Sequence, residues 1–218
     1  PVNVKTTLPM GNIFLLPHAR YNWEHQFSGG PGVNRRTIPC PRGKLVGGST
    51  SVNGTVYIRG HRLDYDEWLA AGNPGWGFDD VLPAYKRHEN YAGGASAYHG
   101  AGGELDVQRL AQANRLADAF VDAAVQAGHA RNDDFNGDAQ DGFGLFDLNR
   151  RDGVRWSSSR AFLHPVLGRP NLTVFADALV ERVRLQDRRA VGVTLRQHGQ
   201  AIELDAGTEV VVCGGSVN

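Results

Sequence analysis

The sequence predicts a mixed helix-and-strand fold, α+β with α/β character, on two observations. Residues 61–128 contain three stretches of helical period, each opened by a capping residue. Residues 172–213 switch to period two and break into short strand-like runs. With 218 residues the chain is long enough for one large domain or two small ones, and for a real core.

Asp64 is expected to cap the first helix, Glu67 to complete a capping-box pattern three residues on, and Gly72 to end it. Asp79 is expected to cap the second, with Pro83 tolerated in its first turn and Val81, Leu82 and Tyr85 as its apolar stripe. Asn114 caps the third; Leu116, Ala119, Phe120, Ala123 and Ala127 line one apolar face, and Gly128 stops it. Strands are expected over 172–177, 179–185, 190–197, 201–206 and 209–213, with His198-Gly199 as a hairpin turn. Residues 1–44 hold Pro9, Pro17, Pro31, Pro39 and Pro41 and read as irregular, extended chain. So long an irregular opening is unusual for a free-standing domain, and the chain is expected to be the middle part of a longer polypeptide.

Composition excludes several classes. Lys+Arg and Asp+Glu both number 23, so the net charge is zero, against a nucleic-acid binder. No apolar run approaches the ~20 residues of a membrane span. Cys40 and Cys213 allow one disulfide arithmetically but no secretory framework; with no signal peptide visible, a cytoplasmic location is favoured. Glycine, at 28 residues, is in excess, which implies unusual backbone angles or close approach to a ligand.

Eight histidines are scattered without metal-ligand spacing, so zinc is not expected. Asp134-Phe135-Asn136-Gly137-Asp138 mimics the start of a calcium loop, but Ala139 and Leu145 stand where Gly and Glu are needed, so a turn is expected. Ser157-Ser158-Ser159 has no nucleophile elbow; Ser157 is expected to cap a short helix over 160–163. Trp23, Trp68, Trp76 and Trp156 read as core residues or pocket lining.

The informative segment is Pro41–Gly60. Gly47 and Gly48 remove two Cβ atoms, so a planar or anionic ligand can touch the backbone. Ser49, Thr50, Ser51 and Asn53 put short hydrogen-bonding side chains on the same turn, several N–H groups can converge there, and Arg42 and Lys44 add positive charge.

Pro41-Arg42-Gly43-Lys44, Gly47-Gly48-Ser49-Thr50, Asn53 and Tyr57-Ile58-Arg59-Gly60 together resemble the first signature of the glucose-methanol-choline (GMC) family of FAD-dependent oxidoreductases. The agreement continues in family order through Asp64–Trp68, Gly75–Pro83, Tyr98-His99-Gly100, Asp134–Gly137 with Gly142–Gly144, Gly153-x-Arg155-x-Ser157 and Asn171–Val174. It covers nearly the whole chain.

The resemblance implies FAD as cofactor and oxidation of a primary or secondary alcohol by hydride transfer to flavin N5, as in choline dehydrogenase-like enzymes. It implies cofactor contacts at Arg42, Val46, Gly47, Gly48, Ser49, Asn53 and Val56, and at the backbone of Val180. Members with covalent flavin carry His where this chain has Val52, so FAD is expected to be non-covalent. Residues 1–60 are expected to form an FAD-domain segment with a lid-like region, 61–165 mainly a substrate cap, and 166–218 an FAD-domain β-meander. The family's opening G-x-G-x-x-G is not found, its second signature begins at Gly215–Asn218, and its catalytic His pair is expected beyond residue 218, so no catalytic residue is assigned here. The implied partners are a small alcohol and the remaining parts of the same polypeptide. A hydroxynitrile-lyase-like enzyme of the same family, or an inactive fragment, are the alternatives.

Overall fold

A computed structural model describes residues 4–110 and 114–217. The chain divides into two units, Pro1–Gly168 and Arg169–Asn218.

The first unit opens with helical turns α1 (Val4–Thr7) and α2 (Asn12–Leu15), joined by a 3-10 turn at Pro9–Gly11. Leu15 is fully buried. Strands β1 (His25–Ser28) and β2 (Thr37–Cys40) then form an antiparallel ribbon, His25 opposite Cys40. The opening is therefore more regular than its composition predicts. Pro9 and Pro31 sit at the first turns of 3-10 helices, where the missing N–H removes no bond, and Pro39 lies in a two-stranded ribbon that is all edge.

Strand β3 (Val56–Tyr57) leads into α3 (Arg62–Ala70). His61, not Asp64, caps this helix, its ring Nδ1 accepting from the Leu63 N–H. Asp64 instead accepts from the His61 N–H at 2.7 Å. In α4 (Phe78–His88) the cap is Gly77, and Asp80 accepts from its N–H at 3.0 Å. Both predicted caps, Asp64 and Asp79, fall inside the helices; the third-position carboxylates, Asp64 and Asp80, serve the cap N–H groups from within. Pro83 consequently lies within α4 rather than in its first turn. Tyr65 is buried between the helices, its ring 6.1 Å from Phe78 and its hydroxyl 2.8 Å from that of Tyr85.

Strands β4 (Glu89–Tyr91) and β5 (Leu105–Val107) pair in parallel. Asn114 caps α5 (Arg115–Gln126) as expected, accepting from the Leu116 N–H. The face α5 buries is not the predicted one: Val121 and Ala124 are covered, while Leu116 is 79% and Phe120 64% exposed. The apolar arc on this helix is wide, and periodicity marks its centre rather than the edge that meets the core. Strand β6 (Asp147–Leu148) pairs with β3, and β7 (Arg150–Arg151) with β8 (Val154–Arg155). A single π-type turn, Ser159–Leu163, follows. Ser157 does not cap it by side chain; its carbonyl accepts from the Ala161 N–H at 2.9 Å. Trp23, Trp68 and Trp76 are 36–54% exposed and so are not core. Cys40 and Cys213 are free thiols. No described helix is long and apolar enough to cross a membrane.

The second unit is an antiparallel meander of β9 (Ala178–Gln186), β10 (Arg189–Gln197) and β11 (Gln200–Asp205). His198-Gly199 forms the expected two-residue turn, both residues at positive φ, and Asp187-Arg188 forms a second. Segments 172–177 and 209–213 have strand-like composition but pair with no strand among the described residues, because composition alone provides no ladder partner.

Gly192 lies where the β9–β10 register shifts, and a Cβ there would stand 2.1 Å from the Leu204 carbonyl oxygen. Gly192→Ala is expected to destabilise the second unit by about 1–3 kcal/mol, read as faster amide exchange in β10 and β11. Unchanged exchange would refute the close packing.

Candidate functional site

Segment 41–57 is a loop fixed from behind. On its N-terminal side the buried Asn22 anchors it: the Asn22 Oδ1 accepts from the N–H groups of Arg42 (2.9 Å) and Glu24 (3.1 Å), and its Nδ2 donates to the Leu16 carbonyl (2.8 Å). The Trp23 N–H donates to the Arg42 carbonyl and the Lys44 N–H to that of Tyr21. Lys44 also lies over the Trp23 ring, 4.8 Å from its centroid.

Within the loop Gly47 has φ +90° and Gly48 φ +54°, angles that favour glycine. A 3-10 turn, Gly48–Ser51, follows. The Ser49 Oγ accepts from the Gly43 N–H, the Thr50 hydroxyl donates to the Gly47 carbonyl, and the Ser51 hydroxyl to that of Val46. Asn53 Oδ1 accepts from the Thr55 N–H. Thr55 is β-branched yet stands at φ +64°, an unusual strain held by this contact and by the Asn149 N–H on its carbonyl. The N–H groups of Gly48, Val52 and Asn53 bond to the loop's own carbonyls, which narrows the expected anion clamp.

The C-terminal buttress comes from more than a hundred residues away. The Arg155 guanidinium, 1% exposed, donates to Asn53 Oδ1 (2.7 Å), to the Thr50 carbonyl (3.3 Å) and to the Pro9 carbonyl (2.7 Å). The Ser158 N–H donates to the Thr50 Oγ1, and the Ser158 hydroxyl to the Gly47 carbonyl. Arg155 stood in a noted motif, but its pairing with Asn53 had no local signal; nor did the roles of Asn22 and Ser158.

Arg42, Val46, Gly47, Gly48, Ser49, Asn53 and Val56 thus lie on one continuous loop. Part of its surface is open: a Cβ at Gly48 or Gly54 would meet nothing within 4 Å, and Val46, Ser49, Thr50 and Val56 are exposed. Val180 belongs to β9 of the second unit, opposite Leu195, with its side chain half exposed.

The loop runs on into a buried ion cluster. Arg59 pairs with Glu89 at 2.9 Å, Glu89 accepts from the Gly100 N–H at 2.7 Å and faces His99 Nδ1 at 3.2 Å, and His99 Nε2 faces Asp134 at 3.0 Å. Tyr91 stacks on His99 at 3.9 Å. Asn136 accepts from the Arg59 N–H and donates to the Tyr57 carbonyl. Asp134 also accepts from the Asn136 N–H, and Asp138 from the Tyr98 hydroxyl, so the calcium-like stretch is a hydrogen-bonded turn. No group of three His, Cys, Asp or Glu among the described residues is placed to hold a metal ion. A cleft of about 170 Å³ beside Arg59, His61, Asn136 and Gln140 has as its buried cation an arginine already neutralised by Glu89.

Burial raises the Tyr57 hydroxyl to about 12. Burial alone would also raise Glu89 and lower His99. The bonds between them, with the Gly100 N–H, Arg59 and Asp134, outweigh it and hold Glu89 below and His99 above their ordinary values.

A family model described as GMC oxidoreductase matches residues 12–218. The chain is 42% identical over 211 residues to an oxygen-dependent choline dehydrogenase of Sinorhizobium fredii (strain NBRC 101917 / NGR234), covering 97% of this chain and 38% of that protein. It is 40% identical over 214 residues to a mitochondrial choline dehydrogenase of Mus musculus, covering 98% and 36%. Among solved structures, pyridoxine 4-oxidase from Mesorbium loti superposes with a TM-score of 0.88 at 29% identity, over 94% of this chain and 41% of that one. Formate oxidase from Aspergillus oryzae RIB40 shares the fold, with a TM-score of 0.83 at 23% identity over 95% and 37%. The chain belongs to the GMC oxidoreductase family, and it spans well under half the length of the relatives it matches.

The raised His99 contributes stability fully below pH ~6.5, its unfolded value, and that contribution fades as pH climbs through the folded value. The lowered Glu89 contributes above pH ~4.5 and loses its share as pH falls through its folded value. Urea unfolding is expected to show both limbs, with His99→Gln flattening the alkaline one. Glu89→Ala is expected to cost about 3–5 kcal/mol, because it strands two buried cations. An unaltered alkaline limb in His99→Gln would refute the assignment.

Proposed function

We propose that this chain supplies the flavin cradle of an FAD-dependent enzyme that oxidises a primary or secondary alcohol. The observation that carries the reading is the loop 42–56: tied from behind by Asn22, Arg155 and Ser158, and open at Gly48 and Gly54. Such a surface fits a flat isoalloxazine, since Gly48 and Gly54 leave unobstructed space where other residues would project a Cβ. When bound, FAD would accept a hydride from the carbinol carbon.

Arg42, Val46, Gly47, Gly48, Ser49, Asn53 and Val56 would contact this cofactor, and the main chain of Val180 its adenine. Gly48 would let the backbone lie flush against the ring, Gly47 would let it pack on Ser51 and Ser159 behind, and the Asn22 and Arg155 bonds would keep it in place without reorganisation on binding. Val52, 2% exposed, turns its side chain into the core, which supports a non-covalent attachment. No residue among 4–217 is given the role of base. Residues 61–165 would serve mainly as the substrate cap. The substrate would be a small alcohol, and the cradle would be completed by other parts of the same polypeptide.

The test uses a full-length protein carrying this chain. It is expected to purify yellow, to release all its colour on acid precipitation, and to bleach anaerobically with an alcohol from a panel including choline and pyridoxine. Colour left on the polypeptide would refute non-covalent binding. No bleaching with any alcohol, together with cyanohydrin cleavage, would replace oxidation by lyase chemistry. At Gly47 a Cβ would stand 2.4 Å from the Ser51 Oγ and 2.9 Å from the Ser159 Cβ. Gly47→Ala is therefore expected to weaken FAD binding about tenfold or more, or ~1.4 kcal/mol, by cofactor titration. Unchanged affinity would count against the cradle.

A further inference from the structure

Two arginines are buried in the first unit, and they are treated differently. Arg59 faces Glu89 at 2.9 Å. Arg155 is more deeply buried and has no carboxylate partner among the described residues; its acceptors are the carbonyls of Pro9 and Thr50 and the amide oxygen of Asn53. Its Nε has no hydrogen-bond partner among the described residues. Burial is the cause that bears on its ionisation, in the direction of a lower pKa, yet a guanidinium stays charged. A full positive charge therefore lies uncompensated on the inner side of the loop whose outer side is open. Burying such a charge costs several kcal/mol, and three neutral acceptors offset only part of that cost.

We infer that Arg155 is an electrostatic positioning residue for the cofactor: it holds Asn53 and Thr50 in place, and its unpaired charge acts through the loop to favour the negatively charged, reduced isoalloxazine. This inference rests on the reading that the loop cradles FAD. Uptake of a hydride brings two electrons and one proton to a neutral ring and leaves it with one negative charge. A buried cation close behind the loop is weakly screened, so it stabilises that product more than the neutral starting form. Arg155 touches neither substrate nor cofactor in this account; it acts through Asn53 and Thr50.

The experiment is a spectroelectrochemical titration of the full-length holoenzyme and its Arg155→Met and Arg155→Lys variants. Arg155→Met is expected to lower the two-electron reduction equilibrium constant at least about tenfold, while Arg155→Lys stays within about threefold of the parent. Equal values in all three, or equal losses in both variants, overturn the inference; the latter would mean that only the lost hydrogen bonds matter.

Asn53→Asp keeps the test decisive if Arg155→Met does not fold. It sets a carboxylate against the Arg155 Nη1 while preserving the acceptor. It is expected to raise the unfolding temperature of the flavin-free protein. A lower or unchanged unfolding temperature shows the cation was already compensated and overturns the inference. A full-length protein that cannot bind FAD overturns the cradle and this inference together; bound FAD with no shift in the variants overturns this inference alone.

Discussion

The bond between Arg155 and Asn53, with the bond from the same guanidinium to the Pro9 carbonyl, ties the two ends of the first unit to the loop between them. At 2.7 Å, with a buried charged donor, the Asn53 bond belongs to the stronger class of protein hydrogen bonds, contributing about 1.5–3 kcal/mol. Asn53 passes that restraint on to the Thr55 N–H, and so to a β-branched residue held at positive φ. Ser158 adds the Thr50 and Gly47 contacts, and Asn22 fixes the opposite end through Arg42. A glycine-rich loop would otherwise sample many conformations; these ties leave it one.

The unit thus places two cationic side chains in its interior under opposite conditions. At Arg59 charge is balanced through Glu89, His99 and Asp134, and the result is a structural clasp joining β4, the 132–144 turn and the end of the loop. At Arg155 charge is left in excess. The first arrangement stabilises the fold over a range of pH; the second directs a field toward whatever rests on the loop.

Much of this was legible in the residues. The motif from Pro41 to Gly60 and the ordered blocks after it carry the family resemblance, and the family model over residues 12–218 agrees with it. Helix positions and the β10–β11 turn were also readable, because caps, glycines and period act locally. The caps of α3 and α4 were missed for a local reason: Asp64 and Asp80 act from inside their helices, so a cap search lands two or three residues late, on Asp64 and Asp79. The other misses depend on partners distant in sequence. The buried side of α5 is chosen by what packs there, not by its apolar arc. Arg155 and Asn53 lie 102 positions apart, and neither carries a mark of the other.

That separation governs the order in which the molecule can mature. The meander of the second unit closes through turns of two residues, so each hairpin can zip as soon as its strands are made. The glycine loop and its Asn22 anchor are translated early, but the Arg155 and Ser158 supports come only when Ser158 has left the ribosome. Until then its C-terminal half is loosely held, and it takes its final shape only after nearly all of the first unit has been made.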